Sequence, residues 1–67
     1  MDWSAHLGKN VLKHRTARSW SQQTLAGEAE LSLRYLAGVE RGEENPTLET
    51  IVAIAAALGI RPSELLT

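Results

Sequence analysis

Arg34 is the side chain in this 67-residue chain best suited to reading a base pair. Its guanidinium fork matches the two acceptors that guanine shows in the major groove. Leu33, beside it, is the right type to touch a thymine methyl. Gly38 leaves room for a close approach to a groove, or does nothing at all. Three more residues are of the kind that holds phosphate. Gln22 opens a helical pattern, where free N–H groups and the positive end of the helix dipole draw an anion; a solvated surface glutamine fits the spacing equally well. Tyr35 and Arg41 flank the base-reading positions with a hydroxyl and a second guanidinium. The chain has no cysteine, so disulfides, zinc fingers and thiol chemistry are excluded. His6 and His14 lie two turns or more apart, not at the i, i+3 or i, i+4 spacing of a helical metal pair. No nucleophile–base pair, phosphate-cradling glycine loop or paired carboxylates can be found. No catalytic residue, metal or cofactor is therefore expected.

These side chains need two crossed helices to present them. Leu25, Ala26 and Ala29 share one helix face, and Leu36 and Val39 share another. Between them lies a break at Glu30–Ser32, sealed by Leu31. Ser21 and Ser32 each precede a pattern, where a hydroxyl accepts a free backbone N–H. Gly42 follows the second, where positive φ is easiest to adopt. Two helices joined by three or four residues must cross steeply, which gives a helix-turn-helix over about 22–41. Its second helix, 33–41, turns Leu36 and Val39 inward. Leu33, Arg34, Ala37, Gly38 and Arg41 then face outward, poised for a major groove. Trp20 and Leu25 hold the spacing of a hydrophobic staple across Ser21.

The rest of the chain supplies the body. Residues 4–18 read as a helix with Ser4 as its cap. Its inward face carries Leu7, Val11, His14, Arg15 and Arg18. Gly8 should cost this helix roughly 1 kcal/mol relative to alanine. An inward Arg15 needs a carboxylate, because an unpaired buried charge is expensive. Glu40 is the candidate, unless both side chains sit hydrated at the rim. Trp3 is read as a cap over one end of the core. Pro46 stops any helix from running through the loop 42–46. Thr47 then caps a helix that Gly59 ends after Leu58, with Leu48, Ile51, Ile54, Ala55 and Leu58 facing inward. Its other side, Val52, Ala53 and Ala56, is apolar too. Either a second subunit covers it or small alanines are left wet. Pro62 starts a last helix, 62–66, on which Leu65 and Leu66 cannot both face one core. Val52, Ala56, Ile60 and Leu66 are the resulting dimer-interface candidates.

Length limits the chain to one domain, residues 1–67, with an all-α core. No apolar run is long enough for a bilayer and the N-terminus is no signal peptide, so a cytoplasmic protein without membrane contact is expected. The net charge is −1, but it is segregated. Residues 1–41 hold six cations against four acids, and residues 42–67 one cation against four acids. The cationic part contains the helix-turn-helix. Two ordinary solvated faces would give the same counts.

The run Arg15…Ser21-Gln22-x-x-Leu25-Ala26…Leu31-Ser32-x-x-Tyr35-Leu36-x-x-Val39-Glu40-Arg41-Gly42…Asn45-Pro46-Thr47-Leu48-Glu49-Thr50…Leu58-Gly59…Pro62-Ser63-Glu64-Leu65-Leu66 resembles the XRE family, the lambda repressor/Cro type of helix-turn-helix. The resemblance covers residues 7–66. It implies a compact five-helix bundle, lambda repressor-like, whose third helix reads double-stranded DNA. It also implies a regulator that binds as a homodimer, on a palindromic operator. In that frame Gln22 matches a phosphate position, Leu33, Arg34 and Gly38 match base-facing positions, and Arg15 with Glu40 matches an internal ion pair. Among subtypes, so short a chain resembles the controller proteins of restriction–modification systems. The departures are Glu30 at the usual turn glycine, Glu43 and Glu44 in a loop that often carries cations, Ala53 and Ala56 where lysine is common, and Arg61 at a capping serine. The expected function is sequence-specific transcriptional regulation. The alternative is a protein-interaction module of the same fold, antitoxin-like or a dimerisation domain, with little affinity for DNA.

Overall fold

Asp2, not Ser4, starts the first helix. Its carboxylate accepts from the backbone N–H groups of Ser4 at 3.1 Å and Ala5 at 3.3 Å. A charged cap at the positive end of the helix dipole outcompetes a hydroxyl two residues later. The computed structural model describes residues 2–67, and five helices follow one another there. They are α1 (Trp3–Ala17), α2 (Gln22–Glu28), α3 (Leu33–Arg41), α4 (Leu48–Leu58) and α5 (Ser63–Leu66). The all-helical, five-helix architecture expected from the sequence is the one found. Ser21, Ser32 and Thr47 cap α2, α3 and α4 through their side-chain oxygens, as their positions predict.

The first four helices end in one way. The residue after the last turn takes positive φ, and the two N–H groups there reach back to the helix carbonyls. Glycine fills that place after α3 (Gly42, φ 77°) and α4 (Gly59, φ 70°). After α1 and α2 it is filled by Ser19 and Glu30, both at φ 58°. Glu30 thus takes the left-handed turn in spite of its Cβ. The Leu31 N–H donates to the Ala26 carbonyl at 2.8 Å, which closes the turn between α2 and α3.

Leu7, Val11, Leu25, Ala26, Leu36, Val39, Ile54, Ala55, Leu58 and Leu65 make one core contributed by all five helices. The closest backbone approach is between α1 and α3. A Cβ at Gly8 would stand 2.5 Å from the Val39 carbonyl oxygen and 2.7 Å from that of Glu40. So Gly8 is the residue that lets two backbones touch. Side chains of α1 and of its C-cap tie it to the ends of α5 and α4. Asn10 Nδ2 donates to the Leu65 carbonyl at 2.9 Å, and Arg18 Nη1 to that of Leu58 at 3.0 Å.

Other placements differ from expectation besides the first cap, among them Arg18, which is exposed rather than inward. Leu48 is 69% exposed rather than inward. It is the first residue of α4, one turn beyond the edge of the core, and lines up with Val52 and Ala56 at i, i+4 and i+8. Ile60, expected at a dimer surface, packs against this chain's own core. Trp3 is exposed and stands edge-on to His6 at 5.7 Å, forming one wall of an open cleft rather than a lid on the core.

Candidate nucleic-acid interface

The frame of the site is a buried charge network. Arg15 Nε donates to Glu40 Oε2 at 2.7 Å and Nη2 to Oε1 at 3.0 Å, a two-pronged pair. Its third nitrogen, Nη1, donates to the Trp20 carbonyl at 2.8 Å. The side chains are 12% and 5% exposed, so the hydrated-rim alternative does not hold. The hydrogen bond with Glu40 raises the Arg15 pKa above its ordinary value, against the lowering effect of burial. Stability from a raised pKa is fully present below the unfolded value and lost only as pH rises through the folded one. For a guanidinium that window lies on the far alkaline side, so Arg15 holds its charge wherever the domain is used.

This network joins three helices. Gln22 Nε2 donates to Glu40 Oε1 at 2.9 Å, so α2 is tied to the pair that links α1 and α3. The side chain read as a phosphate ligand therefore commits one N–H inward. Its second N–H has no hydrogen-bond partner among the described residues. Trp20 packs against the core as the staple predicts, and the Arg18 guanidinium lies 4.4 Å over its ring.

Held this way, α3 shows solvent a definite face. Arg34 is exposed and Leu33 is 47% exposed. Among the described residues, Arg34 has no ion pair. Arg41 is exposed and pairs with Glu43 at 3.0 Å, so an acid of the following loop competes with any phosphate for it. Tyr35 is half-buried, its ring packed against the core. Gly38 is the correction. The helical spacing puts it outward, but it is buried, because the Glu44 side chain folds across it. Periodicity within a helix gives no sign of a loop returning over that helix. Hence Glu44, which the sequence shows only as a loop acid, lies against α3.

Leu48, Val52, Ala56 and Leu66 are exposed along α4 and α5. Among the described residues, no three His, Asp or Glu converge as a metal set, and no helix is long and apolar enough to cross a membrane.

A model of the HTH_3 family, described as helix-turn-helix, matches residues 11–65. The chain is 42% identical over 59 residues to the immunity repressor protein of Bacillus phage phi105, covering 88% of this chain and 41% of that protein. It therefore spans less than half the length of that repressor. It is 40% identical over 60 residues to the control protein C.BamHI of Bacillus amyloliquefaciens, covering 88% of this chain and 74% of that one. Among solved structures, the restriction-modification controller protein C.AhdI from Aeromonas hydrophila superposes with a TM-score of 0.90 at 42% identity, covering 92% of this chain and 94% of that one. These relatives carry the names of a repressor, a control protein and a restriction-modification controller rather than of enzymes. With its crossed α2–α3 pair, its serine caps and its buried Arg15–Glu40 tie, the chain belongs to the helix-turn-helix family HTH_3 of DNA-binding regulators.

Proposed function

We propose that this chain is a sequence-specific transcription regulator that binds double-stranded DNA as a homodimer in the cytoplasm. The observation that carries the proposal is the outward face of α3, where Arg34 stands exposed and, among the described residues, without an ion pair, on a helix anchored by the Arg15–Glu40 pair. In this reading Arg34 contacts a guanine edge, and Leu33 lies beside it against an apolar base edge. Gln22, Tyr35 and Arg41 hold the flanking phosphates, and Arg41 exchanges Glu43 for one of them. A palindromic operator follows from two-fold symmetry, with the two α3 helices entering major grooves about 34 Å apart. The exposed stripe Leu48, Val52 and Ala56, with Leu66 beside it, is the surface proposed to pair two copies. Occupancy of a promoter site is then the regulatory act.

One experiment tests both halves. Titrate wild type, Arg34→Ala and Val52→Asp against selected duplex DNA, with sedimentation equilibrium of each free protein. Arg34→Ala should lose about 1–3 kcal/mol on the preferred site and relax specificity at one base pair. Val52→Asp should sediment as a monomer and bind weakly. A wild type that binds no duplex even at low salt would leave the interaction-module reading standing instead.

A further inference from the structure

The loop after α3 lends that helix a side chain its own sequence lacks. Position 38 lies one turn beyond Arg34, about 40° further round the helix axis, so its Cβ direction is outward. There is no side chain at 38, and Glu44 takes the space. A Cβ there would stand 2.9 Å from Glu44 Cγ and 3.0 Å from Glu44 Oε2. The carboxylate therefore sits where a residue-38 side chain would meet a groove. The chain turns back toward position 38 because the Glu43 N–H donates to the Gly38 carbonyl at 2.9 Å, closing the end of α3 just before Glu44. The neighbouring acid is spent on Arg41, whereas Glu44 makes no ion pair among the described residues.

We infer that Glu44, seated on Gly38, is a specificity-determining residue that accepts a hydrogen bond from a cytosine N4 amino group next to the base pair read by Arg34. An ionised carboxylate only accepts, and cytosine N4 suits it best, because the other major-groove amino donor, adenine N6, stands beside the N7 acceptor that repels the charge. Against thymine O4, or the acceptors of guanine, the same charge repels, so the contact also rejects wrong sequences. A phosphate would be repelled as well, which makes the groove floor the one productive partner for this group. A Cβ at 38 would press on the Glu44 side chain, which must shift to admit it.

The inference rests on the reading of α3 as a groove-reading helix, and one selection separates the two. Wild type, Glu44→Ala and Gly38→Ala are each used to enrich bound duplexes from a random pool, with circular dichroism melts showing that the variants are folded. The enriched site is then competed against its C·G→T·A change. Wild type should enrich a cytosine beside the guanine and prefer it by roughly fivefold or more. Glu44→Ala should keep the guanine and lose the cytosine, while generic affinity rises. Gly38→Ala should lose the cytosine too, by displacing Glu44; if that variant fails to fold, Glu44→Ala decides alone. An unchanged selected sequence with a uniform gain in affinity for Glu44→Ala would overturn the inference and leave the groove reading intact. A wild type that enriches nothing would sink both.

Discussion

Replacing Gly8 by alanine should destabilise the domain, against the sign of helix propensity. In an unobstructed helix interior the change gains about 1 kcal/mol. Here the new methyl would stand 2.5 Å and 2.7 Å from two backbone carbonyl oxygens of α3, neither of which can rotate away. Ordinary contact begins at 3.4 Å, so α1 must retreat from α3 by most of an ångström. A gap of roughly 0.5–1 Å forfeits a quarter to a half of each dispersion contact across that seam, where Leu7 and Val11 pack, and overpacking of this kind costs about 1–3 kcal/mol. The strained methyl outweighs the propensity gain, and a net loss of about 1 kcal/mol is expected. For a domain of this size that lowers Tm by roughly 4–8 °C. Gly27→Ala is the internal control, because nothing lies within 4 Å of the place its methyl would take and φ is not left-handed. It should gain about 0.5–1 kcal/mol. Urea unfolding followed by circular dichroism, at one chain concentration, reads both. A Gly8→Ala protein as stable as wild type, or more so, would refute the close contact between α1 and α3.

Glu40→Ala should be the most damaging single change at the site, since it strands a guanidinium that is 12% exposed. The expected loss is about 3–5 kcal/mol, enough to unfold most of a domain this small, whereas Arg15→Met with Glu40→Leu should remain within about 2 kcal/mol of wild type by denaturant melt. Glu30→Gly should stabilise the turn by about 0.5–1 kcal/mol, because φ 58° suits glycine better than glutamate; an unchanged Tm would show that the glutamate pays no strain there.

Local features of the chain were readable wherever one residue type has one physical use. Ser21, Ser32 and Thr47 before apolar patterns mark three helix starts, and Gly42 and Gly59 mark two ends, all without tertiary help. The Arg15–Glu40 pair was readable for another reason: an arginine on an apolar face must find a carboxylate. Asp2 and Ser4 are both good caps two residues apart, so type alone could not choose between them. Leu48 has the right period for the core, but a period does not show where the core stops. Gly8 and Gly38 read alike as helix-weakening glycines. One admits a crossing backbone and the other a returning loop carboxylate, and both partners come from elsewhere in the chain.

A net charge of −1 is compatible with DNA binding because much of the acid is already committed. Asp2 caps α1, and Glu64 accepts from the Arg61 N–H at 2.7 Å. Glu40 is neutralised by Arg15 inside the fold, and Glu43 by Arg41 at its edge. Three of the cations are committed as well: Arg15 and Arg41 by those pairs, and Arg18 by the Leu58 carbonyl and the Trp20 ring, which leaves Arg34 on α3 and Lys9 and Lys13 on α1 without an ion pair among the described residues. Few phosphates can then be neutralised per subunit. Each contributes about −0.9 to the slope of log affinity against log salt, so a dimer whose two Arg41 side chains neutralise phosphate, with Arg34 on a base, should show a slope of roughly −2. Affinity that is weakly salt-dependent must come from base edges and helix N-termini, which raises the ratio of specific to generic binding rather than the generic term. A slope steeper than roughly −6 would mean that Lys9 and Lys13 on α1 also reach phosphate. In that event the domain docks through its first helix, and the account of Arg34 as the principal contact fails.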